Sequence, residues 1–151
     1  MTKFIADSML GKLAIWLRVL GCDTLYFKDI DDASLLRRAK EEDRILLTRD
    51  TLLIKRRGIK NYVFINDNEP YKQLRQIITV LKLKLDKRFL TRCIYCNEEL
   101  VSVQKEDVEG IVPEYVYENH DSFNQCRKCK KIYWRGTHFK KIEGRLKEIF
   151  S

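Results

Sequence analysis

The sequence predicts an α/β protein in which a parallel sheet flanked by helices is followed by a small zinc ribbon. Short apolar runs alternate with segments of helical periodicity through the first ninety residues. Farther along the chain, four cysteines form two CxxC pairs. Alternating strands and helices imply a parallel sheet with right-handed crossovers, and paired CxxC motifs are typical of zinc sites. We therefore expect two domains, at residues 1–90 and 91–151, with a final helix in the second.

Four apolar runs predict the strands of the sheet, at residues 4–6, 24–27, 44–48 and 62–65. The third run is continuously apolar, as expected for a strand buried on both faces. Between the strands, leucines at helical spacing predict a first helix that Gly21 ends. The second helix begins with Asp31 or Asp32 as its N-cap. The third covers residues 52–57 and ends at Gly58, and the fourth covers residues 71–85.

The composition excludes several classes of protein. The chain has 151 residues, of which 44% are hydrophobic, so it can bury a core and is not typical of disordered chains. No apolar run approaches the roughly 18 residues that a membrane span requires. Asp7 interrupts the apolar start, so we expect no secretion signal. The net charge of +8 belongs to residues 1–92, which hold 20 basic and 12 acidic residues; this excess suggests an anionic partner.

Acidic residues follow each predicted strand. They are Asp7 after the first, Asp29, Asp31 and Asp32 after the second, Asp50 after the third and Asp67 after the fourth. Ligands of open parallel sheets bind beyond the carboxyl ends of the strands, so we expect these carboxylates at one edge. A cation would relieve their repulsion, and Mg²⁺ or Mn²⁺ suits both carboxylate and phosphate oxygens. The alternative is that each aspartate caps a helix or forms a turn, and the composition of residues 66–70 favours a turn around Asp67.

Basic residues are expected around this edge. They are Lys12, Arg49, a first cluster of Lys55, Arg56, Arg57 and Lys60, and a second cluster of Lys82, Lys84, Lys87, Arg88 and Arg92. Phosphate backbones are bound by such groups. The alternative is that each cluster is a solvated face of the protein.

The cysteines Cys93, Cys96, Cys126 and Cys129 have the spacing C-x2-C-x29-C-x2-C. Two such pairs complete a tetrahedral site of four thiolates with no open position, so the predicted zinc is structural. The arrangement is a poor disulfide framework and predicts a reducing, cytoplasmic location. Short strands are expected near residues 100–103, 115–117 and 132–134, and Thr137 is expected to cap the final helix.

The second CxxC pair and the residues after it are basic and contain aromatic side chains. This mixture suits contact with a nucleic-acid backbone together with base stacking. We assign Lys128, Lys131, Trp134 and His138 to RNA binding on this basis. The alternatives are that the aromatic residues pack the ribbon onto the first domain and that His138 makes a structural contact.

Several motifs together resemble a known family. They are residues 4–14 (FIADSMLGKLA), residues 16–18 (WLR) with Gly21, residues 44–50 (RILLTRD), the two CxxC pairs and residues 133–138 (YWRGTH). In this order they resemble the PIN-like ribonuclease family with a C-terminal zinc ribbon, named after the C-terminal domain of the mutator-seven exonuclease. The resemblance covers nearly the whole chain.

The resemblance implies a PIN-like sheet whose acidic residues bind Mg²⁺ or Mn²⁺ and hydrolyse RNA. The family's first acid falls on Asp7, and the acid of its Thr-Arg-Asp motif falls on Asp50. The acid that opens the second helix matches Asp32 best, and Asp67 is a candidate fourth. The sequence therefore predicts a metal-dependent ribonuclease. The alternative is a non-catalytic module that binds RNA or the ribosome.

Overall fold

The structure, a computed structural model, describes residues 2–56 and 59–150. Its first segment consists, in chain order, of β1 (Lys3–Ala6), α1 (Gly11–Val19), β2 (Asp23–Tyr26), α2 (Asp32–Glu41), β3 (Ile45–Thr48), α3 (Thr51–Ile54), β4 (Tyr62–Phe64) and α4 (Pro70–Leu81). All four strands are parallel and lie in the order β2-β1-β3-β4. Each agrees with its predicted strand to within one residue at either end. The predicted parallel sheet flanked by helices is confirmed.

Side chains of alternating residues in β1 pack into two separate cores, one on each face of the sheet. Phe4 and Ala6 belong to the larger core, together with buried residues of α1 and α4. Ile5 belongs to the smaller core with Leu35 of α2 and Leu53 of α3. Because both faces are covered, the strands need to be apolar throughout, which explains their continuous apolar runs.

Helix ends follow the predicted caps in some places and not in others. Gly21 follows α1 with φ of +86°, and Asp31 caps α2 by accepting a hydrogen bond from Ser34 N at 2.9 Å. Helix α4 ends at Leu81, not at residue 85, because Lys82 adopts a left-handed conformation with φ of +54°. Helix α3 ends at Ile54, and its predicted end at residues 57 and 58 lies outside the described residues.

The second segment contains a three-stranded antiparallel sheet in the order β5-β6-β7. Its elements are β5 (Val101–Val103), a 3-10 helix (Lys105–Val108), α5 (Glu114–Asn119), β6 (Phe123–Gln125), β7 (Ile132–Tyr133) and α6 (Thr137–Phe150). The predicted strand at residues 115–117 is wrong, since these residues lie in α5. Pro113 precedes this helix and its carbonyl accepts a hydrogen bond from Tyr117 N at 3.0 Å, which forms the first turn.

The two segments are held together by buried polar contacts and by α6. Arg18 of α1 donates to the carbonyls of Ile94, at 2.9 Å, and Tyr95, at 3.3 Å. Although α6 follows the small sheet in the sequence, its Phe139 and Leu146 are buried in the larger core of the first segment. Because residues after 90 share a core with residues before it, the predicted division into domains near residue 90 stays a prediction.

None of the helices in the described residues is long and apolar enough to cross a membrane.

Candidate functional site

The four cysteines of the two CxxC pairs converge on one point. Their sulfur atoms all lie within 4.8 Å of one another, and Cys93 Sγ lies 3.7 Å from Cys129 Sγ. A zinc ion bound tetrahedrally at about 2.3 Å from each sulfur separates the sulfurs by about 3.8 Å. None of the four forms a disulfide. The donor set and its spacing therefore fit a closed zinc site.

The same backbone turn presents the cysteines in both pairs, which we call the first knuckle (residues 93–98) and the second knuckle (residues 126–131). In the first, Asn97 N donates to Cys93 O at 2.9 Å, and in the second, Lys130 N donates to Cys126 O at 2.9 Å. Asn97 and Lys130 both have left-handed backbone, with φ of +66° and +68°. Each turn brings its two thiols to one side, as a shared metal ion requires.

Tyr133 supports the first cysteine from outside the cluster. Its hydroxyl donates to Cys93 Sγ at 3.2 Å and accepts from Ile94 N at 3.3 Å. Burial alone would raise the pKa of the Cys93 thiol, but hydrogen bonds from Tyr133 and from the backbone of Tyr95 and Cys96 lower this pKa to about 7. The thiolate is the form that binds zinc, so these donors favour metal binding.

Asp7 lies where β1 ends and is only 6% exposed. Its backbone N–H continues the sheet by donating to Leu47 O at 3.0 Å. Its Oδ1 accepts from Met9 N at 2.9 Å, and its Oδ2 accepts from Thr48 Oγ1 at 2.5 Å and from Arg49 N at 3.3 Å. These three donors fix the position of the carboxylate.

Asp50 lies beyond the end of β3, the strand next to β1. The Thr48 hydroxyl that donates to Asp7 also accepts a hydrogen bond from Asp50 N at 3.0 Å. Asp50 Oδ1 caps α3 by accepting from Leu52 N at 2.9 Å and Leu53 N at 3.3 Å. One buried hydroxyl therefore links the two aspartates at what we call the acidic edge, the carboxyl end of β1 and β3 with Asp7 and Asp50.

The other acids are engaged elsewhere. Asp32 is exposed at the start of α2 and pairs with Arg56 at 3.7 Å. Asp67 Oδ1 accepts from Glu69 N at 2.8 Å, as in a turn, and the Asp67 carbonyl accepts from the Arg49 guanidinium. Asp29 is exposed, and Asp31 caps α2.

Within residues 2–56 and 59–150, the only group of three or more potential metal-ligating side chains is the cysteine cluster. Asp7, Asp32 and Asp50 thus do not form such a group. The Thr48 hydroxyl bonds both Asp7 and the Asp50 backbone amide. Asp32 and Asp67 take no part in these hydrogen bonds. A hard divalent ion binds through one or two carboxylates and completes its shell with water, so Asp7 and Asp50 are the candidate ligands at this edge.

The basic residues divide between the two ends of the sheet. Lys12 is exposed in the first turn of α1, and Lys55 and Arg56 are exposed directly after α3. Arg49 is half-buried, and its guanidinium donates to the carbonyls of Ile65 and Asp67, so it holds the end of β4. Arg57 lies outside the described residues.

The remaining predicted RNA contacts belong to the other end of the sheet. Arg88 pairs with Asp86 at 2.9 Å beside the end of α1, and Lys128 and Lys131 are exposed on the second knuckle. Trp134 packs against Phe123, with ring centroids 6.4 Å apart. His138 is exposed in the first turn of α6.

The first knuckle is attached at the amino end of β2, opposite the acidic edge. Asn97 Oδ1 accepts from Thr24 N at 3.0 Å, and Asn97 Nδ2 donates to Asp23 Oδ1 at 2.7 Å. Burial alone would raise the pKa of Asp23, but hydrogen bonds from Arg44 and from Asn97 Nδ2, together with the Arg44 charge, lower it. Leu90 N also donates to Val19 O at 2.8 Å, at the end of α1. The zinc site and the acidic edge therefore lie at opposite ends of the sheet.

Two residues of these sites were not predicted from the sequence. Thr48 connects Asp7 with Asp50, and Tyr133 binds Cys93. Both lie inside motifs that the sequence analysis quoted, residues 44–50 and 133–138. A polar residue at the end of an otherwise apolar strand was the available signal for Thr48.

Comparison with known proteins gives one match. The model of the family described as Mut7-C RNAse domain matches residues 2–146 of the chain. No curated protein and no solved structure matches it.

Proposed function

Because the chain belongs to the Mut7-C RNAse domain family, we propose that it is a metal-dependent ribonuclease acting at the acidic edge. The observation that carries this proposal is the pair of aspartates on adjacent strand ends, connected through the Thr48 hydroxyl. The carboxyl edge of a parallel sheet is also where open α/β folds bind their ligands. We further propose that the fold is PIN-like and that the protein acts in the cytoplasm, where thiols stay reduced.

The carboxylates of Asp7 and Asp50 would hold Mg²⁺ or Mn²⁺. Such an ion supplies Lewis-acid stabilisation of phosphate oxygens and a water that is easier to deprotonate. Asp7 is fixed by three hydrogen-bond donors, so its geometry is set before any ion binds. Asp50 Oδ1 is held by two backbone amides. Asp32, which pairs with Arg56, and Asp67, which accepts from Glu69 N, would join this site only by leaving those partners.

Basic residues around the edge would position the RNA backbone. Lys12 and Lys55 are exposed and have solvent-accessible ammonium groups for phosphate. Arg49 acts indirectly, because its guanidinium holds the carbonyls of Ile65 and Asp67 at the end of β4. Arg56 is held beside the start of α2 by its pairing with Asp32.

We assign the zinc to structure and the ribbon to RNA binding. Four thiolates leave no open coordination position, so a zinc ion there takes no part in hydrolysis. The second knuckle has Lys128 and Lys131 exposed, while Arg88 lies beside the end of α1. These cations would extend RNA contact beyond the acidic edge.

A second candidate function is a non-catalytic module that binds RNA, including RNA of the ribosome. One observation favours it: within the described residues, Asp7, Asp32 and Asp50 do not converge as a group of three ligands. In this case the fold is kept for binding, and the ribbon is the main contact.

A cleavage assay distinguishes the ribonuclease from the non-catalytic module. Zinc-loaded protein is incubated with Mn²⁺ and end-labelled RNA, single-stranded or folded, beside Asp7→Asn, Asp50→Asn and the control Asp107→Asn. Asp107 is an exposed acid of the ribbon, so its variant should cleave like wild type. We expect Asp7→Asn to lower the rate by about 100-fold or more, typical of losing a group that stabilises developing charge. Equal cleavage by all four proteins contradicts the enzyme, and RNA binding without cleavage favours the module.

A further inference from the structure

A groove of about 280 Å³ lies where the ribbon meets the first segment. Its walls are formed by the end of α1, the first knuckle, β7, the loop at residues 134–136 and the start of α6. Among the described residues, none of those lining the groove is acidic, and the first turn of α6 contains no acidic residue. An anionic ligand would therefore meet no carboxylate on the walls.

One wall carries an exposed aromatic ring with a cation beside it. Tyr95 is 64% exposed although it stands between two cysteines of the metal cluster. The Lys131 ammonium lies 5.7 Å from the centroid of the Tyr95 ring and also 5.7 Å from that of Tyr133. Lys131 thus lies over one face of the Tyr95 ring. An exposed aromatic ring with a cation is the combination that binds a base and its phosphate in single-stranded nucleic acids, and the other face of Tyr95 is the one for a base.

The rest of the groove is held in place by contacts inside the ribbon. The Tyr133 hydroxyl is bonded to Cys93 Sγ and Ile94 N. Trp134 packs on Phe123, and its Nε1 would lie 2.9 Å from a Cβ added at Gly136, so a larger residue there would displace the indole ring. Because these walls are fixed in advance, a ligand would lose little free energy in ordering them.

We infer that this groove binds one unpaired nucleotide of a single-stranded RNA. The base stacks on Tyr95, the adjoining phosphate pairs with Lys131, and His138, which also lines the groove, is a further donor. The choice of RNA rests on the proposed function.

The test measures binding and not cleavage. Zinc-loaded protein without added Mg²⁺ or Mn²⁺ is titrated into a fluorescein-labelled oligouridylate, and anisotropy gives the affinity. We expect Tyr95→Ala to weaken binding by about 5-fold to 150-fold, the range for losing one base–aromatic stack, and Tyr95→Phe to bind like wild type. Tyr115→Ala is the matched control, because Tyr115 is 73% exposed on α5 and lies outside the groove.

Lys131→Gln provides a second test that leaves the cysteines and Tyr95 intact. It should lower the slope of log affinity against log salt concentration by about 0.7, the value for one phosphate contact on a single strand. The zinc content of each variant is measured, and if Tyr95→Ala has lost zinc, Lys131→Gln alone decides. An unchanged slope and affinity in that variant overturn the inference.

Three further outcomes overturn the inference. The first is equal weakening of binding by Tyr95→Ala and Tyr115→Ala. The others are zinc-loaded Tyr95→Ala that binds like wild type, and wild-type protein that does not bind the oligouridylate. The proposed function can fail separately. Protein that binds RNA through Tyr95 and cleaves none supports the groove and contradicts the nuclease. Protein that cleaves RNA while Tyr95→Ala binds normally contradicts the groove alone.

Discussion

Replacing Thr48 by valine removes the hydroxyl that links the two aspartates of the acidic edge. In the wild type, Thr48 Oγ1 donates to Asp7 Oδ2 at 2.5 Å and accepts from Asp50 N at 3.0 Å. Thr48 is 0% exposed, so bulk water does not reach the hydroxyl. Valine has a similar shape, and the substitution therefore removes two hydrogen bonds while it keeps most of the packing.

The expected loss in the free energy of unfolding follows from the two hydrogen bonds that Thr48→Val removes. A hydrogen bond to a charged group contributes about 1.5–3 kcal/mol, and a buried donor left without a partner costs about 1–3 kcal/mol. Asp7 keeps two other donors, Met9 N and Arg49 N, so we expect a total loss near the low end, about 2–4 kcal/mol.

Thr24→Val is the matched control. Thr24 is also 0% exposed and also lies on a strand, but its hydroxyl makes one bond to a neutral group, Cys22 O at 3.1 Å. Removing a neutral bond of this kind costs about 1 kcal/mol. Urea denaturation of the zinc-loaded proteins, followed by tryptophan fluorescence, measures both losses through the shift in midpoint.

Thr48→Val should also lower the rate of RNA cleavage, because Asp7 loses its shortest hydrogen bond. The reasoning is refuted if the two threonine variants lose equal stability and Thr48→Val cleaves RNA like wild type. A larger stability loss in Thr24→Val than in Thr48→Val would contradict it still more directly.

Two further predictions concern the backbone and the zinc site. Gly21→Ala should lower the free energy of unfolding by more than about 3 kcal/mol, because Gly21 has φ of +86° and an added Cβ would lie 2.1 Å from Arg88 O. The control Gly110→Ala, with φ of +81° and open space around it, should cost only about 1–2 kcal/mol. Urea denaturation measures both losses. Equal losses would contradict the close approach. Tyr133→Phe should lower zinc affinity by about 10-fold in competition with a colorimetric chelator, because Cys93 loses its hydroxyl donor. Unchanged affinity would remove Tyr133 from the zinc site.

The strands of the first segment could largely be predicted because burial on both faces leaves a signal within each short stretch of sequence. A strand buried on both faces must be apolar, so β1 and β3 were visible as runs. Helix ends were harder to predict. Lys82 ends α4 in a left-handed conformation that usually signals glycine, so nothing in the sequence marked it.

The predicted strand at residues 115–117 shows where local preference is misleading. Tyrosine and valine favour strands, but this segment follows Pro113 and forms α5. Val116 and Tyr117 then pack against the ribbon core that contains Val108 and Val112. Tertiary packing and a helix-starting proline outweighed the preference of the residues themselves.

The zinc site could be predicted from the sequence more fully than the acidic edge, again because local signals are easier to recognise than long-range contacts. CxxC spacing is local and specific, so the cysteine cluster could be predicted before the fold was known. The contacts that attach the ribbon could not, because Arg18 and the carbonyl of Ile94 are 76 residues apart in the chain. Asp50 also has a local role as the cap of α3, which the sequence could not separate from metal binding.

Direct measurement of Mn²⁺ binding tests the central proposal most closely. Electron paramagnetic resonance detects free Mn²⁺, and zinc-loaded protein keeps the cysteine cluster occupied during the titration. We predict that wild-type protein and Asp107→Asn remove Mn²⁺ from solution with equal affinity, and that Asp7→Asn and Asp50→Asn each bind it about 10-fold more weakly or worse. Equal Mn²⁺ affinity in all four proteins would contradict a metal site at the acidic edge.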